Sequence, residues 1–459
     1  MSHTAEVFRL LRAYESRNVT FLEPDGSWPI VWDRARGVHV WDADGRKYLD
    51  LTAAFGVAAA GHANPRVVQA GRRQMATLLH AMGDVHPHAL KARLARELSR
   101  ITFERWSRAK SEVAGRERRD RAFHISNLKS GRTTGKTIFC NSGFEAVEAA
   151  LKTAILATGK RGVIAFEGAY HGLGYGALNV THRAHFRGPF RSQLGRFGQF
   201  VPFPGARAEL AQLHERIGRL MKASGIGAVL VEPVQGRGGI RLPPSEFLPM
   251  LRRLCDAHGA LLIVDEIYTG FGRTGQWFAC EHHGVGPDVI CLGKALTGGF
   301  PLSACVGRAD VMDAAWPPSN GEATHTSTFL GHPVGCAMAL AQIAEIRRER
   351  LVGRSARLGR VLLAELSQVQ GPKAKVVCGA RGVGLMAGLE LRNADGTPAT
   401  DFALRAVQQM LRRGFILLPE GEHANVLSFT PPLTITEAQI RRAVAVLGEV
   451  LAEGTRTDP

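Results

Sequence analysis

One lysine stands among small residues in the run Leu292-Gly293-Lys294-Ala295-Leu296-Thr297-Gly298-Gly299, twenty-nine positions after the Asp265-Glu266 pair. That pair closes the apolar stretch 260–264. An amine near a carboxylate at the mouth of a buried strand suits an enzyme that holds a carbonyl cofactor covalently, and pyridoxal phosphate is the natural candidate. Such a site needs four parts: a lysine, an acid that keeps the pyridine nitrogen protonated, a phosphate cup and a flat residue over the ring. Each can be sought separately in the chain.

The phosphate cup has a candidate in Cys140-Asn141-Ser142-Gly143-Phe144-Glu145-Ala146-Val147, which reads as a strand end, a glycine turn and an alanine-rich helix. A helix N-terminus offers free backbone N–H groups and the positive end of its dipole, so Gly143 and Phe144 could hold a phosphate without a basic side chain. In isolation the same residues make an ordinary capped turn. Beside Lys294 and Asp265 they become specific.

The elements that must position these residues follow an α/β pattern, with apolar runs at 137–140, 162–166, 228–231, 261–264 and 289–292 alternating with amphipathic stretches. In open, largely parallel sheets ligands sit at the carboxyl ends of the strands. Here those ends lead to Asn141-Ser142-Gly143, Tyr170-His171, Glu232, Asp265-Glu266 and Lys294. Residues 37–50 read as a β-hairpin about an Asp-Gly turn. From about Pro333 the pattern runs as a long helix, then a loop and strand over 381–391, then a closing helix. The expected division is 1–75 and 333–459 in a small domain and 76–332 in a large cofactor-binding domain.

With 459 residues, 45% of them hydrophobic, the chain can bury two cores without staples. No apolar run approaches the roughly 20 residues that span a bilayer, and the first 17 residues lack a signal-like apolar core, so a cytoplasmic protein is expected. Seven scattered cysteines without CxxC spacing fit reduced thiols. The formal charge of +17 could attract nucleic acid, membrane or small anions. Part of it is local: residues 104–136 hold ten Lys/Arg against four acids, with few aromatics for base stacking, so this segment reads as a solvated surface excursion.

Three further motifs carry less. Gly270-Phe271-Gly272-Arg273-Thr274-Gly275 satisfies GxGxxG, but Asp265-Glu266 intervene after the strand and Gln276-Trp277-Phe278 is a poor helix start. Gly131 to Thr137 is one residue short of a P-loop and leads into a strand. Cys280-Glu281-His282-His283 places adjacent histidines on different faces, so a surface loop is expected and no metal.

Taken together, Asn141 to Ala150, Glu167-Gly168-Ala169-Tyr170-His171-Gly172, Val231-Glu232-Pro233-Val234-Gln235-Gly236, Asp265 to Gly275, and Lys294 resemble the class III aminotransferases in order and spacing, from about Gly37 to the C-terminus. The resemblance implies pyridoxal-phosphate fold type I: a large domain with a mostly parallel seven-stranded sheet between helices, and a small α+β domain from the two termini. It implies a homodimer with shared active sites, or a tetramer. It further implies that Lys294 binds the cofactor as a Schiff base and shuttles the substrate proton, while Asp265 pairs with the ring nitrogen. Tyr170 would stack on one ring face and Ile267 on the other; Ser142, Gly143 and Phe144 would take the phosphate, with Thr328 reaching the phosphate of the partner subunit. His171 and Glu232 would support the cofactor, and Tyr268 stands where many relatives have glutamine. Arg381 matches the family's arginine that grips a substrate carboxylate.

Two departures bear on substrate. Arg237 replaces a glutamate found in many ω-amino acid members, and Phe55 replaces a tyrosine of the ornithine enzyme. Arg237 is therefore expected to leave Arg381 free, or to add a second cation, favouring an anionic substrate over ornithine or 4-aminobutyrate. The expected activity is ping-pong transfer of an amino group from an amino acid or amine to a keto acid or aldehyde. A racemase or aminomutase on the same fold is the alternative, since one carbanion serves all three reactions. A basic nucleic-acid-binding protein on a vestigial fold is a third reading, and the joint retention of lysine, aspartate and phosphate cup argues against it.

Overall fold

The computed structural model describes residues 2–23, 28–114, 133–223, 225–370 and 376–453. Most of the arginine-rich segment, 115–132, lies outside the described residues. In chain order the strands are β1 (Trp32–Arg36), β2 (His39–Asp42), β3 (Lys47–Asp50), β4 (Gly135–Cys140), β5 (Gly162–Phe166), β6 (Gly198–Val201), β7 (Ile226–Val231), β8 (Leu261–Asp265), β9 (Val289–Leu292), β10 (Ser303–Arg308), β11 (Val376–Val383), β12 (Met386–Asn393), β13 (Phe415–Ile416), β14 (Leu418–Glu420) and β15 (Val426–Phe429).

Seven of them form one sheet in the order β4-β10-β9-β8-β7-β5-β6. Strands β6, β5, β7, β8 and β9 are mutually parallel, and β10 runs antiparallel to both β9 and β4. The uninterrupted apolar runs reflect burial on both faces. Along β7, Val229 and Val231 join the core formed with Phe247 and Leu251 on one side. Ala228 and Leu230 face the opposite core, built on Ala146, Ala149 and Ala150 of the helix Gly143–Thr158. Because the parallel strands point the same way, their carboxyl ends deliver Asn141, Glu232, Asp265 and Lys294 to one edge.

The expected hairpin is β2 and β3, turning through Gly45 at φ +85°. Asp42 fixes the turn by accepting from Arg46 N at 2.8 Å and from Tyr48 Oη at 2.7 Å. Strand β13 pairs in parallel with β3, so one sheet joins the two ends of the chain.

Several elements differ from expectation. Strands β1, β6, β10, β13, β14 and β15 escaped the sequence reading because β1 is largely exposed, β6 is a short edge strand, β10 is made of small residues with weak strand preference, and the last three are only 2, 3 and 4 residues long. Arg381 lies within β11 of a β-hairpin, paired opposite Gly388, where a loop was expected. Cys280 to His283 form a short 3₁₀ turn, and Cys280 is fully buried, where a surface loop was expected. Glu281 accepts from Trp106 Nε1 at 3.1 Å and pairs with Arg105, which buries this turn against the helix Phe103–Ala114. Among the described residues no cluster suited to a metal occurs, the described cysteines are free thiols, and no helix is long and apolar enough to cross a membrane.

The β11–β12 turn meets the helix Leu351–Gln368 at bare backbone. A Cβ on Gly359 would sit 2.1 Å from the carbonyl oxygen of Gly384. Gly359→Ala should therefore push helix and hairpin apart and destabilise the fold by about 1–3 kcal/mol, seen as a Tm several degrees lower in calorimetry. An unchanged Tm would show that this junction is loose.

Candidate active site

Strand ends, one helix start and one loop enclose a cavity of about 400 Å³. Its wall carries Lys294, Asp265, His171, Glu232 and Arg237, the side chains of Tyr170, Ile267 and Tyr268, and the helix-start residues Gly143 and Phe144. Residues from five separate stretches of sequence thus meet as the motif spacing suggested.

Lys294 follows Gly293 out of β9 in a left-handed conformation, φ 35°. Burial lowers the pKa of its amine; the carboxylates of Asp265, Glu232 and Glu420 oppose that shift, and Arg237 adds to it. A lowered pKa enlarges the fraction of free amine, the form that adds to a carbonyl and removes a proton.

Asp265 ends β8 with its carboxylate 5% exposed. Oδ1 accepts from Ile267 N at 3.0 Å, and Oδ2 accepts from His171 Nδ1 at 2.8 Å. His171 is itself fixed, its backbone N–H donating to Thr181 Oγ1 at 2.9 Å. Glu232, at the end of β7, accepts from the backbone N–H groups of Tyr170 and Gly236 at 3.0 and 3.2 Å, tying the Tyr170 loop to the strand edge. Burial pushes Glu232 up to about 7, with the Asp265 carboxylate adding to the shift and His171 opposing it.

At the start of the helix Gly143–Thr158, Glu145 turns back and accepts from Asn141 N at 2.6 Å and Ser142 N at 3.3 Å. Ser142 Oγ is buried in a capping-box arrangement at the helix start and makes no well-aligned hydrogen bond among the described residues. An unmade hydroxyl beside the first N–H groups of a 16-residue helix is the donor set that a phosphate monoester requires. Ile267 packs beneath it, since a Cβ on Gly143 would lie 3.1 Å from the Ile267 side chain. The residues present therefore fit pyridoxal phosphate: an amine, a held carboxylate and an anion cup in one cavity.

The arginines are placed differently from expectation. Arg237 lies on the wall with its guanidinium 5.4 Å from the centre of the Tyr170 ring. Its Nε is 3.2 Å from Oε2 of Glu420 in β14. Neither atom makes a well-aligned hydrogen bond among the described residues, so the pair is electrostatic contact without a directed bond. Arg381 does not line the cavity. Its Nε and Nη2 donate to Gly239 O at 3.1 and 2.6 Å, Nε also to Ile240 O at 2.9 Å, and Nη1 pairs with Glu390. Those partners take up the guanidinium fork of Arg381, and Arg237 is the cation that lies on the cavity wall.

Two further sites stand apart from the wall. Phe55 is half-exposed in a run of left-handed residues, Ala53 to Phe55, which carries Gly56 against the cavity. Thr328 is exposed in a turn whose neighbour Ser327 accepts from Asn141 Nδ2 at 3.4 Å. Sequence reasoning missed Glu420 and Thr430, whose Oγ1 meets Tyr268 Oη at 3.1 Å. Both come from the C-terminal sheet and carry no local motif.

The class III aminotransferase sequence profile matches residues 22–451. The 5-aminovalerate aminotransferase of Pseudomonas aeruginosa is 36% identical over 436 residues, spanning 93% of this chain and 94% of that enzyme. The acetylornithine aminotransferase of Methanosarcina acetivorans is 36% identical over 422 residues, spanning 92% of each. In structure, a transaminase from the marine bacterium Virgibacillus superposes with a TM-score of 0.83 at 27% identity, covering 97% of this chain and 98% of that one.

Proposed function

Because the chain belongs to the class III aminotransferases, pyridoxal-phosphate enzymes that move an amino group from a donor to a carbonyl acceptor, we propose that Lys294, Asp265 and the start of the helix Gly143–Thr158 form its active centre. The observation that carries this reading is the meeting of the Lys294 amine, a doubly held carboxylate and the helix-start residues Gly143 and Phe144 in one cavity. When bound, pyridoxal phosphate supplies an electron sink for the pair left at the substrate carbon as that carbon loses its proton.

The chain's own residues do the rest. Lys294 would hold the cofactor at rest, and its amine takes the proton from the substrate carbon and returns it. Asp265 keeps the ring nitrogen protonated, with His171 and the Ile267 N–H holding its oxygens in place. Ser142 Oγ and the N–H groups of Gly143 and Phe144 would bind the phosphate; Tyr170 and Ile267 would pack against the ring and exclude water. Glu232 fixes the Tyr170 loop. Thr328 reaches the partner's phosphate in a cytoplasmic homodimer or a tetramer built from it, a role supported by its exposure. Residues 1–75 and 333–459 make one small domain and 76–332 the large one, supported by the sheet that joins β3 to β13.

Relatives named for 5-aminovalerate and acetylornithine support a donor that carries a carboxylate away from the transferred amine. Arg237 is the cation on the wall that would receive it, with Glu420 as its resting partner, while Arg381 clamps the hairpin to residues 239–240. A panel of amino donors tested against 2-oxoglutarate and pyruvate checks this through the visible cofactor band, which a true donor bleaches and the acceptor restores. Arg237→Gln should lower kcat/KM about 10- to 100-fold for donors with a remote carboxylate and leave donors without one nearly unchanged. A uniform loss across the panel would remove Arg237 from carboxylate recognition, and a panel in which no donor bleaches the band would sink the active-centre assignment.

A further inference from the structure

Tyr268 is built into its position more tightly than a wall residue requires. A Cβ on Gly56, itself at φ +81°, would lie 2.6 Å from Cε2 of the ring, and a Cβ on Gly236 would lie 2.4 Å from Cδ1. The two ring edges therefore rest against the bare backbone of two glycines 180 positions apart. At the far end the hydroxyl meets Thr430 Oγ1 at 3.1 Å, and Thr430 Oγ1 donates to Thr52 O at 3.2 Å. Edges and tip being fixed, the side chain presents a face, and over that face stands the Lys294 Nζ, 4.6 Å from the ring centre.

We propose that Tyr268 is a positioning residue for Lys294: once the unattached lysine has taken up a proton, the ring face receives its ε-ammonium and holds it at the cavity wall, ready to return that proton. This rests on the reading of Lys294 as the cofactor lysine. A freed lysine has four rotatable bonds and would otherwise sample the cavity. The face of a desolvated aromatic ring attracts an ammonium without offering it a counter-charge that would trap it. The phenol stays neutral, because burial pushes its pKa up to about 12. The charged groups around Lys294 are Asp265, Glu232 and Glu420, which favour the ammonium, and Arg237, which disfavours it. The ring adds its attraction to that balance and directs it to one place.

The test titrates Lys294 directly, in protein loaded with pyridoxamine phosphate so that the lysine is free. Arylation by trinitrobenzenesulfonate across pH, followed by mass spectrometry of the peptide containing residue 294, gives the midpoint of the amine. Tyr268→Leu should lower that midpoint by about half a unit to one unit, shift the acid limb of the kcat profile down with it, and spread the lysine over more conformers. Tyr268→Phe keeps the face and loses only the Thr430 bond, so its midpoint should match wild type while its Tm falls. If the leucine variant does not fold, replacing Tyr268 by phenylalanine and then by its trifluoro derivative alters the face at nearly constant shape, and the midpoint should fall with fluorination. Equal midpoints in the leucine and phenylalanine variants, or no fluorine dependence, overturn the proposal. Borohydride reduction of the pyridoxal form separates the two ideas: tagging at Lys294 with an unmoved titration removes the ring's role alone, and absence of tagging removes the cofactor reading beneath it.

Discussion

Lys294→Ala is expected to abolish steady-state transamination, with kcat falling by at least about 10⁴-fold, while the protein folds and still binds pyridoxal phosphate through the helix start. Two contributions are lost at once, covalent attachment and proton transfer at the substrate carbon, and general-base assistance alone accounts for roughly 10² to 10⁴. The other titratable groups on the wall do not replace the amine. Asp265 is committed to His171 and Ile267 N, and Glu232 to the backbone of Tyr170 and Gly236. The fold should tolerate the change because Nζ contributes a contact with the Tyr268 ring, and alanine can adopt the φ of 35° at a cost the lysine already bears. Single-turnover mixing with a good donor checks the chemistry and calorimetry checks the fold. Added methylamine should restore a fraction of the rate in proportion to its free-base concentration, since what is missing is an amine. Appreciable single-turnover rate without it would show that another group moves the proton.

What could be read in the sequence and what could not divides by the range of the interaction. Lys294, Asp265 and the Ser142-Gly143-Phe144 turn announce themselves because each sits at the end of a buried strand and its neighbours in sequence are its structural context. Direction along the strand then brings them together. Glu420 and Thr430 had no such signal: they come from β14 and from the residue after β15, and their partners Arg237 and Tyr268 lie over 150 positions away. Gly56 and Gly236 look like loop glycines until the Tyr268 ring is placed between them. The strand position of Arg381 was hidden for the same reason. Its neighbours in sequence read as a loop, while its donors go to Gly239, Ile240 and Glu390, which only the fold brings beside it. The antiparallel sense of β10 was equally hidden, because a run of small residues carries no direction.

Asp265→Asn separates the electronic half of the site from its covalent half. The aspartate uses both oxygens, one accepting from Ile267 N and one from His171 Nδ1, whereas asparagine has a single acceptor. If its oxygen stays with Ile267 N, its NH₂ faces the His171 donor and the imidazole must shift its proton to Nε2, which has no partner among the described residues. Either way the amide supplies no negative charge, and an adjacent carboxylate is what raises a buried cation's pKa by roughly 1–3 units. The ring nitrogen should then lose its proton near neutrality and the substrate carbanion its stabilisation, so kcat should fall about 10³-fold, or roughly 4 kcal/mol of transition-state stabilisation. Lys294 remains, so borohydride should still tag it. That combination, a retained covalent link with lost turnover, distinguishes this variant from Lys294→Ala. A ¹⁵N label in the ring should report a protonated nitrogen in the wild type and a neutral one in the variant. Asp265→Glu, which keeps the charge but displaces it by one methylene, should recover part of the rate. A variant within about threefold of wild type would mean that the ring nitrogen draws its proton from another group, and His171 would then be the residue to change.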